Sequence, residues 1–178
     1  MAAIKPFSIT TLLLMIFIIT MTMISQTSSK ESNQSNQVFY LHDVTNGPNA
    51  TVAQIVGITG KVWSYNTFGT FIMVDDPITL TPNQYAVQIG RAQGTISVAS
   101  MDGSTVIIVL SFVFNNVQYN GSTLELQGAS RQRENYREIS VVSGTGRFRF
   151  AKGYAVFETV SYDPTTTRSL IRVNVTIN

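Results

Sequence analysis

The sequence contains no cysteine. That removes disulfide staples, iron–sulfur clusters and thiolate-bound haem or copper from consideration. It contains a single histidine, His42, so a His-rich zinc site has no ligand set. A Ser-His-Asp triad would have to be built on that residue. On a strand, however, the adjacent Asp43 points to the opposite face and cannot orient the imidazole, so His42 is expected to be structural. Charge is also scarce. Twelve Lys and Arg against ten Asp and Glu leave a net +2, too slight an imbalance for a nucleic-acid-binding surface. No cofactor is expected, and no helical period is visible beyond residue 37.

What is present begins with Lys5, followed by a largely apolar stretch over 9–24 and then small polar residues at 25–29. This is the layout of an export signal occupying 1–29. The stretch is thinned by threonines and shorter than the ~20 residues of a spanning helix, so no membrane anchor is expected after cleavage. Residues 30–37 (KESNQSNQ) lack apolar periodicity and read as a flexible arm, leaving 38–178 as one domain. Four sequons, at Asn33, Asn49, Asn120 and Asn174, mark candidate glycosylation sites on the secretory route.

From residue 38 onward the pattern is strand, turn, strand. Runs rich in Val, Ile, Thr, Phe and Tyr cover 38–44, 51–58, 69–75, 92–100, 105–114, 122–127, 137–142, 148–160 and 169–177, punctuated by turn dipeptides such as Asn120-Gly121 and Asp163-Pro164. Sequential strands with short connections favour an all-β, eight-stranded antiparallel up-and-down barrel over a two-sheet sandwich, because closure removes free edges. A barrel of that size has room for one small ligand. In the last run Ser169, Ile171, Val173, Val175 and Ile177 share one face, placing Asn174 outward. The run 105–114 is apolar on both faces, which predicts that its outer face is covered by another copy of the chain.

Three smaller motifs have plain structural readings. Ser143-Gly144-Thr145-Gly146 lacks the lysine and following helix of a nucleotide loop and reads as a turn. Asp75-Asp76-Pro77 reads as a turn closing a strand, with Asp76 accepting backbone N–H bonds. Arg131, Arg133, Arg137, Arg147, Arg149 and Lys152 alternate with Glu134 and Glu138, as on a solvated, partly paired surface.

The segments FYLHDV (39–44), FGTFIMVDDPIT (68–79), GRAQG (90–94), GSTLELQG (121–128) and REISVVSGTGRFRFAKGYA (137–155) resemble, in order and spacing, the signature segments of plant dirigent proteins. The resemblance implies an allene-oxide-cyclase-like barrel, usually trimeric and apoplastic, with one pocket per subunit. It further implies a function in stereocontrol. Members either steer the coupling of phenoxy radicals made by a separate laccase or peroxidase, as in lignan formation, or bind quinone methides and direct their cyclisation, as in pterocarpan synthesis. The aspartate of the family's HD segment matches Asp43, and the arginine opening its RE(I/M)SV segment matches Arg137; both are implied to line the pocket. Lignan-forming members carry an acid where this chain has Ser130, and a tyrosine-rich strand where it reads Thr95-Ile96-Ser97-Val98. These departures lean toward the cyclase branch, in which the protein would be a dehydratase acting on a small phenolic.

From the residues themselves, Asp43 shares a strand face with Phe39 and Leu41, so it is expected to enter an apolar interior where desolvation raises a carboxyl pKa. Together with what the resemblance implies for Arg137 and Ser130, this makes Asp43 and Arg137 the expected catalytic pair, with Phe39, Leu41 and Ser130 as pocket walls. A non-catalytic carrier of an apolar ligand is the alternative from another class.

Overall fold

A computed structural model describes residues 8–26 and 34–178, which fall into two units divided after residue 33. In the first, α1 (Ile9–Gln26) covers the apolar stretch read as an export signal. No helix among the described residues is long and apolar enough to cross a membrane. Lys5 and Asn33 lie outside the described residues.

The second unit contains nine strands, one for each apolar run: β1 (Ser35–Val44), β2 (Val52–Val56), β3 (Phe71–Thr79), β4 (Gly90–Val98), β5 (Thr105–Phe114), β6 (Thr123–Arg131), β7 (Tyr136–Gly144), β8 (Gly153–Asp163) and β9 (Arg168–Ile177). The expected arm is therefore partly strand, since Ser35, Asn36 and Gln37 pair with Ile177, Thr176 and Val175. The run 148–160 also starts later than expected, after a single 3-10 turn at Gly146–Phe148. Of the Ser143 to Gly146 motif, read as a turn, Ser143 and Gly144 instead end β7, paired with Glu125 and Leu124, and only Thr145 and Gly146 belong to that connection.

The sheet order is β1-β9-β8-β7-β6-β5-β4-β3-β2, and β1 also pairs with β3, closing an eight-stranded antiparallel barrel. β1 and β2 run along the same edge of β3. Leu41 pairs with Ile78, Val52 pairs with Val74, and between them the chain leaves the edge at Val44 and rejoins it at Thr51. The detour is closed by Thr51 N–H donating to Val44 O at 2.9 Å.

That gap corrects the reading of Asp75-Asp76-Pro77, which is strand and not turn: Asp76 pairs with Ala92 and Pro77 with Arg91. Asp75 N–H donates to Thr51 O, so the N–H that Pro77 lacks would have pointed, two residues on, to the same edge. There the edge passes from β2 to β1, and a missing donor costs little.

Both glycines of GRAQG serve strand packing. A Cβ on Gly90 would stand 2.4 Å from Val113 O, and one on Gly94, where φ is +153°, would stand 2.1 Å from Val109 O.

Alternation sorts the strands as expected. On β5, Val106, Ile108, Leu110, Phe112 and Phe114 are buried inward, whereas Ile107 and Val109 are exposed. On β9, Val173, Val175 and Ile177 are buried, with Asn174 on the outer face. One part of the interior is filled by stacked rings: Phe39 lies edge-on to Phe112 at 5.9 Å and 5.4 Å from Phe114, and Phe114 continues to Tyr119 and Phe148. Offset and edge contacts of this kind add to the burial of the rings themselves.

Candidate functional site

Elsewhere the barrel interior is not filled. A cavity of about 990 Å³ is lined by Leu41 and Asp43 from β1, Val74 and Asp76 from β3, Ile96 from β4 and Val106, Ile108 and Leu110 from β5. Ser130 (β6), Arg137 (β7), Phe157, Thr159 and Tyr162 (β8) and Ser169 and Ile171 (β9) also line it. Trp63, Ser64 and Tyr65, from the loop joining β2 to β3, and Gln132 add a polar and aromatic rim.

Four of the five expected site residues, Asp43, Arg137, Leu41 and Ser130, meet here. Phe39 does not. It is fully buried among the aromatic rings and is not part of the cavity wall, because alternation fixes which face a side chain takes but not its height in the barrel.

Two carboxylates stand in this wall. Leu41 and Ile78 are the last paired inward residues of β1 and β3, and Asp43 and Asp76 occupy the next inward positions on those strands. Burial raises Asp43 to a pKa of about 6, and its Oδ1 is buried without a hydrogen-bond partner. Asp76 is raised to about 7, first by burial and then by the neighbouring charge of Asp43. Its side-chain donor among the described residues is Thr51, whose Oγ1 donates to Asp76 Oδ1 at 2.5 Å and accepts from Val44 N–H at 2.9 Å. The chain detour that opened the gap therefore also supplies the partner of the buried acid. Two acids with raised pKa values in one apolar-walled cavity can donate and recover protons near neutral pH.

Arg137 faces the same cavity but forms no ion pair among the described residues. Its Nη2 donates to Thr159 Oγ1 at 2.9 Å, and burial lowers its pKa. The raised pKa of Asp43 is set by burial. Among the described residues, no group of three or more His, Asp or Glu could hold a metal ion.

His42 alternates outward and shares a hydrogen bond with Thr79 Oγ1 at 2.8 Å, a structural contact. Of the remaining sequons, Asn49 and Asn120 are exposed and Asn174 is half-buried. The arginine-rich region is a paired surface in part: Arg131 meets Glu134, Arg133 meets Asp102, and Arg147 donates to Gln118 O.

Reading the sequence missed Asp76 and Tyr65. The signal for Asp76 was the phase Ile72, Val74, Asp76, Ile78, which continues an inward face through Pro77. Tyr65 belongs to an irregular loop and carries no periodic signal. With Tyr162 of β8, it brings into the cavity the phenols that Thr95, Ile96, Ser97 and Val98 do not supply.

A closed barrel with one deep, acid-bearing pocket is the architecture of a small-molecule binding protein. A family profile described as "Dirigent-like protein" matches residues 34–178, and the chain belongs to that family. Pterocarpan synthase 1 of Glycine max is 33% identical over 150 residues, covering 84% of this chain and 81% of its own. Dirigent protein 23 of Arabidopsis thaliana is 36% identical over 143 residues, covering 80% and 76%. The solved structure of the pterocarpan synthase dirigent protein GePTS1 superposes with a TM-score of 0.74 at 32% identity, covering 84% of this chain and 87% of that one.

Proposed function

We propose that this protein binds a phenol-derived intermediate in the cavity and directs the stereochemistry of its ring closure, as a cyclising dehydratase of the pterocarpan-synthase kind. The observation that carries this reading is the pair of acids in the cavity wall, Asp43 half-buried and Asp76 buried, each raised to near neutrality. Guiding the coupling of two radicals needs no proton donor at the coupling step, whereas expelling a hydroxyl does.

A protonated carboxyl donates to the leaving hydroxyl of a benzylic alcohol. The C–O bond breaks, water departs, and the phenol para or ortho to that carbon gives its proton to the resulting carboxylate as it becomes a quinone methide. A second phenolic oxygen of the same molecule then attacks; the quinone-methide oxygen regains a proton from the carboxyl, and that carboxylate recovers its proton from the attacking oxygen. The net change is loss of one water, with no oxidant required. Arg137 stabilises the oxygen that gains negative charge, and the apolar wall presents one face of the intermediate.

Chiral analysis of an isoflavanol incubated without oxidant tests the reading, with one product hand expected. Asp43→Asn and Asp76→Asn should each slow that conversion by roughly 100-fold to 10,000-fold. Stereoselective product only when monolignols and a one-electron oxidant are supplied would replace it with radical coupling assisted by an external oxidase. Tight binding with unchanged product handedness would leave a carrier.

The same proposal includes export and assembly. The stretch over 9–24 acts as the export signal to the apoplast, with glycans on the exposed sequons. On the outer face, Phe71 and Met73 of β3 and Ile107 and Val109 of β5 are exposed, and register sets them in two rows across Ser97 and Thr95. Covering that apolar area favours a homo-oligomer, a trimer by family resemblance. Sedimentation of wild type and Val109→Asp checks it, a multimer and a weakened multimer being the expected results.

A further inference from the structure

Two buried polar atoms in the cavity lack partners: Oδ1 of Asp43 and the hydroxyl of Tyr65. An unpaired buried polar group costs ~1–3 kcal/mol, and such groups are rare enough in folded proteins to need a reason. One accepts and the other donates, and both belong to the wall of one cavity. A ligand hydroxyl between them would relieve both, and a ligand carbonyl oxygen would relieve the Tyr65 hydroxyl.

We propose that the Tyr65 hydroxyl is a substrate-binding donor in this site, taking an aryl carbonyl or quinone-methide oxygen, and that Gln132 is the residue that positions it. The first part deepens the cyclase reading and rests on it.

Tyr65 is suited to donate because its hydroxyl stays protonated. Burial is the main reason, and the charges of Asp43 and Asp76 act in the same direction. Of the neighbouring donors, Arg137 spends one N–H on Thr159, and the Thr51 hydroxyl donates to Asp76.

The ring is held although it sits on a loop. Its centroid is 6.4 Å from that of Trp63 at an interplanar angle of 64°, and both pack on the hydrophobic core, while Val62 just before them is exposed. The loop's own turn is closed by Thr67 N–H on Ser64 O at 3.1 Å and by the two side-chain hydroxyls, Ser64 Oγ and Thr67 Oγ1, 2.9 Å apart. Gln132 ties this turn to the barrel rim. Its Nε2 donates to the carbonyl of Tyr65 itself, and its backbone N–H donates to Ser104 O at 2.9 Å.

Trp63 is the only tryptophan in the chain and lines the cavity, so its fluorescence reports occupancy directly. Titrating wild type with 4-hydroxy-3-methoxybenzaldehyde should give a saturable change. Tyr65→Phe, which keeps the ring, should raise the Kd for that aldehyde about tenfold. The same variant should bind 3-methoxytoluene, which has no carbonyl or phenolic oxygen, as wild type does. Gln132→Ala should weaken aldehyde binding by a smaller factor and leave the 3-methoxytoluene response in place.

Equal aldehyde binding by Tyr65→Phe and wild type overturns the assignment, as does an equal loss for both probes, which would make Tyr65 a packing residue. No saturable response in wild type overturns both the assignment and the ligand cavity. Isoflavanol turnover is a separate arm: its absence, with the aldehyde contrast intact, defeats the dehydratase reading and leaves Tyr65 as the donor.

Discussion

The two halves of the barrel interior are built on the same strands and differ in what fills them. In one, β1 contributes Phe39 and β5 contributes Phe112 and Phe114, each almost fully buried, and the rings of Tyr119 and Phe148 complete the packing. In the other, the same two strands contribute Leu41, Asp43, Val106, Ile108 and Leu110 to the wall of an open cavity. Large rings on the inward face fill the space between strands, whereas branched aliphatics of smaller volume leave it for a ligand. The packed half stabilises the fold, and that surplus sustains two poorly solvated acids and two unpaired polar atoms in the other half.

This contrast is broken most severely from the packed side. Phe112→Ala should destabilise the protein by ~3–5 kcal/mol, read as a lowered denaturant midpoint, whereas Leu110→Ala, beside an existing cavity, should cost less. Comparable losses at the two positions would mean that the halves are not energetically distinct.

The next effect is a pH dependence that belongs to the open half alone. Asp43 and Asp76 are raised from an unfolded value near 3.8 to about 6 and about 7, so between those limits the folded state binds more protons than the unfolded one. Stability is therefore greatest below pH 4 as far as these two groups are concerned, and falls as pH rises through 6 and 7. The loss is on the order of 3 kcal/mol per fully ionised acid. Thermal melts at pH 4 and pH 8 should show it, and Asp76→Asn should flatten it; an unchanged slope in that variant would contradict the assignment.

Thr51→Val should act in the same sense on a smaller scale. It removes the hydrogen bond that holds the Asp76 pKa down and leaves Val44 N–H without its acceptor, at a cost of about 1–3 kcal/mol. The same melts would show a steeper fall above pH 6. Smallest of all, Pro77→Ala should change stability by less than ~1 kcal/mol, because the restored N–H meets the gap between β2 and β1. A loss of several kcal/mol would show that the ring is needed there for packing.

The strand sequence and its phase were legible because period-two alternation is local: nine apolar runs became nine strands, and Asp43 followed Leu41 inward. Ser130 and Arg137 reached the cavity as the family segments implied. Phe39 was misplaced by the same rule that placed Asp43. Both lie on one face of β1, yet Phe39 meets the rings of β5 and Asp43 meets open space. Asp76 was hidden by Pro77, a residue that ends most central strands.

What the sequence by itself determined is the all-β alternation, the lack of thiolate and His-rich ligand sets, and a carboxylate on an inward apolar face. These are properties of neighbouring residues and need no knowledge of distant ones. The tertiary structure decided the height of each side chain in the barrel, the survival of β3 through Pro77, the meeting of Asp43 with Asp76 and the entry of Tyr65. Each depends on long-range register. Closure of β1 on β3, the detour that brings Thr51 to Asp76, and the bond from Gln132 to Tyr65 join residues far apart in the chain, which local periodicity cannot encode.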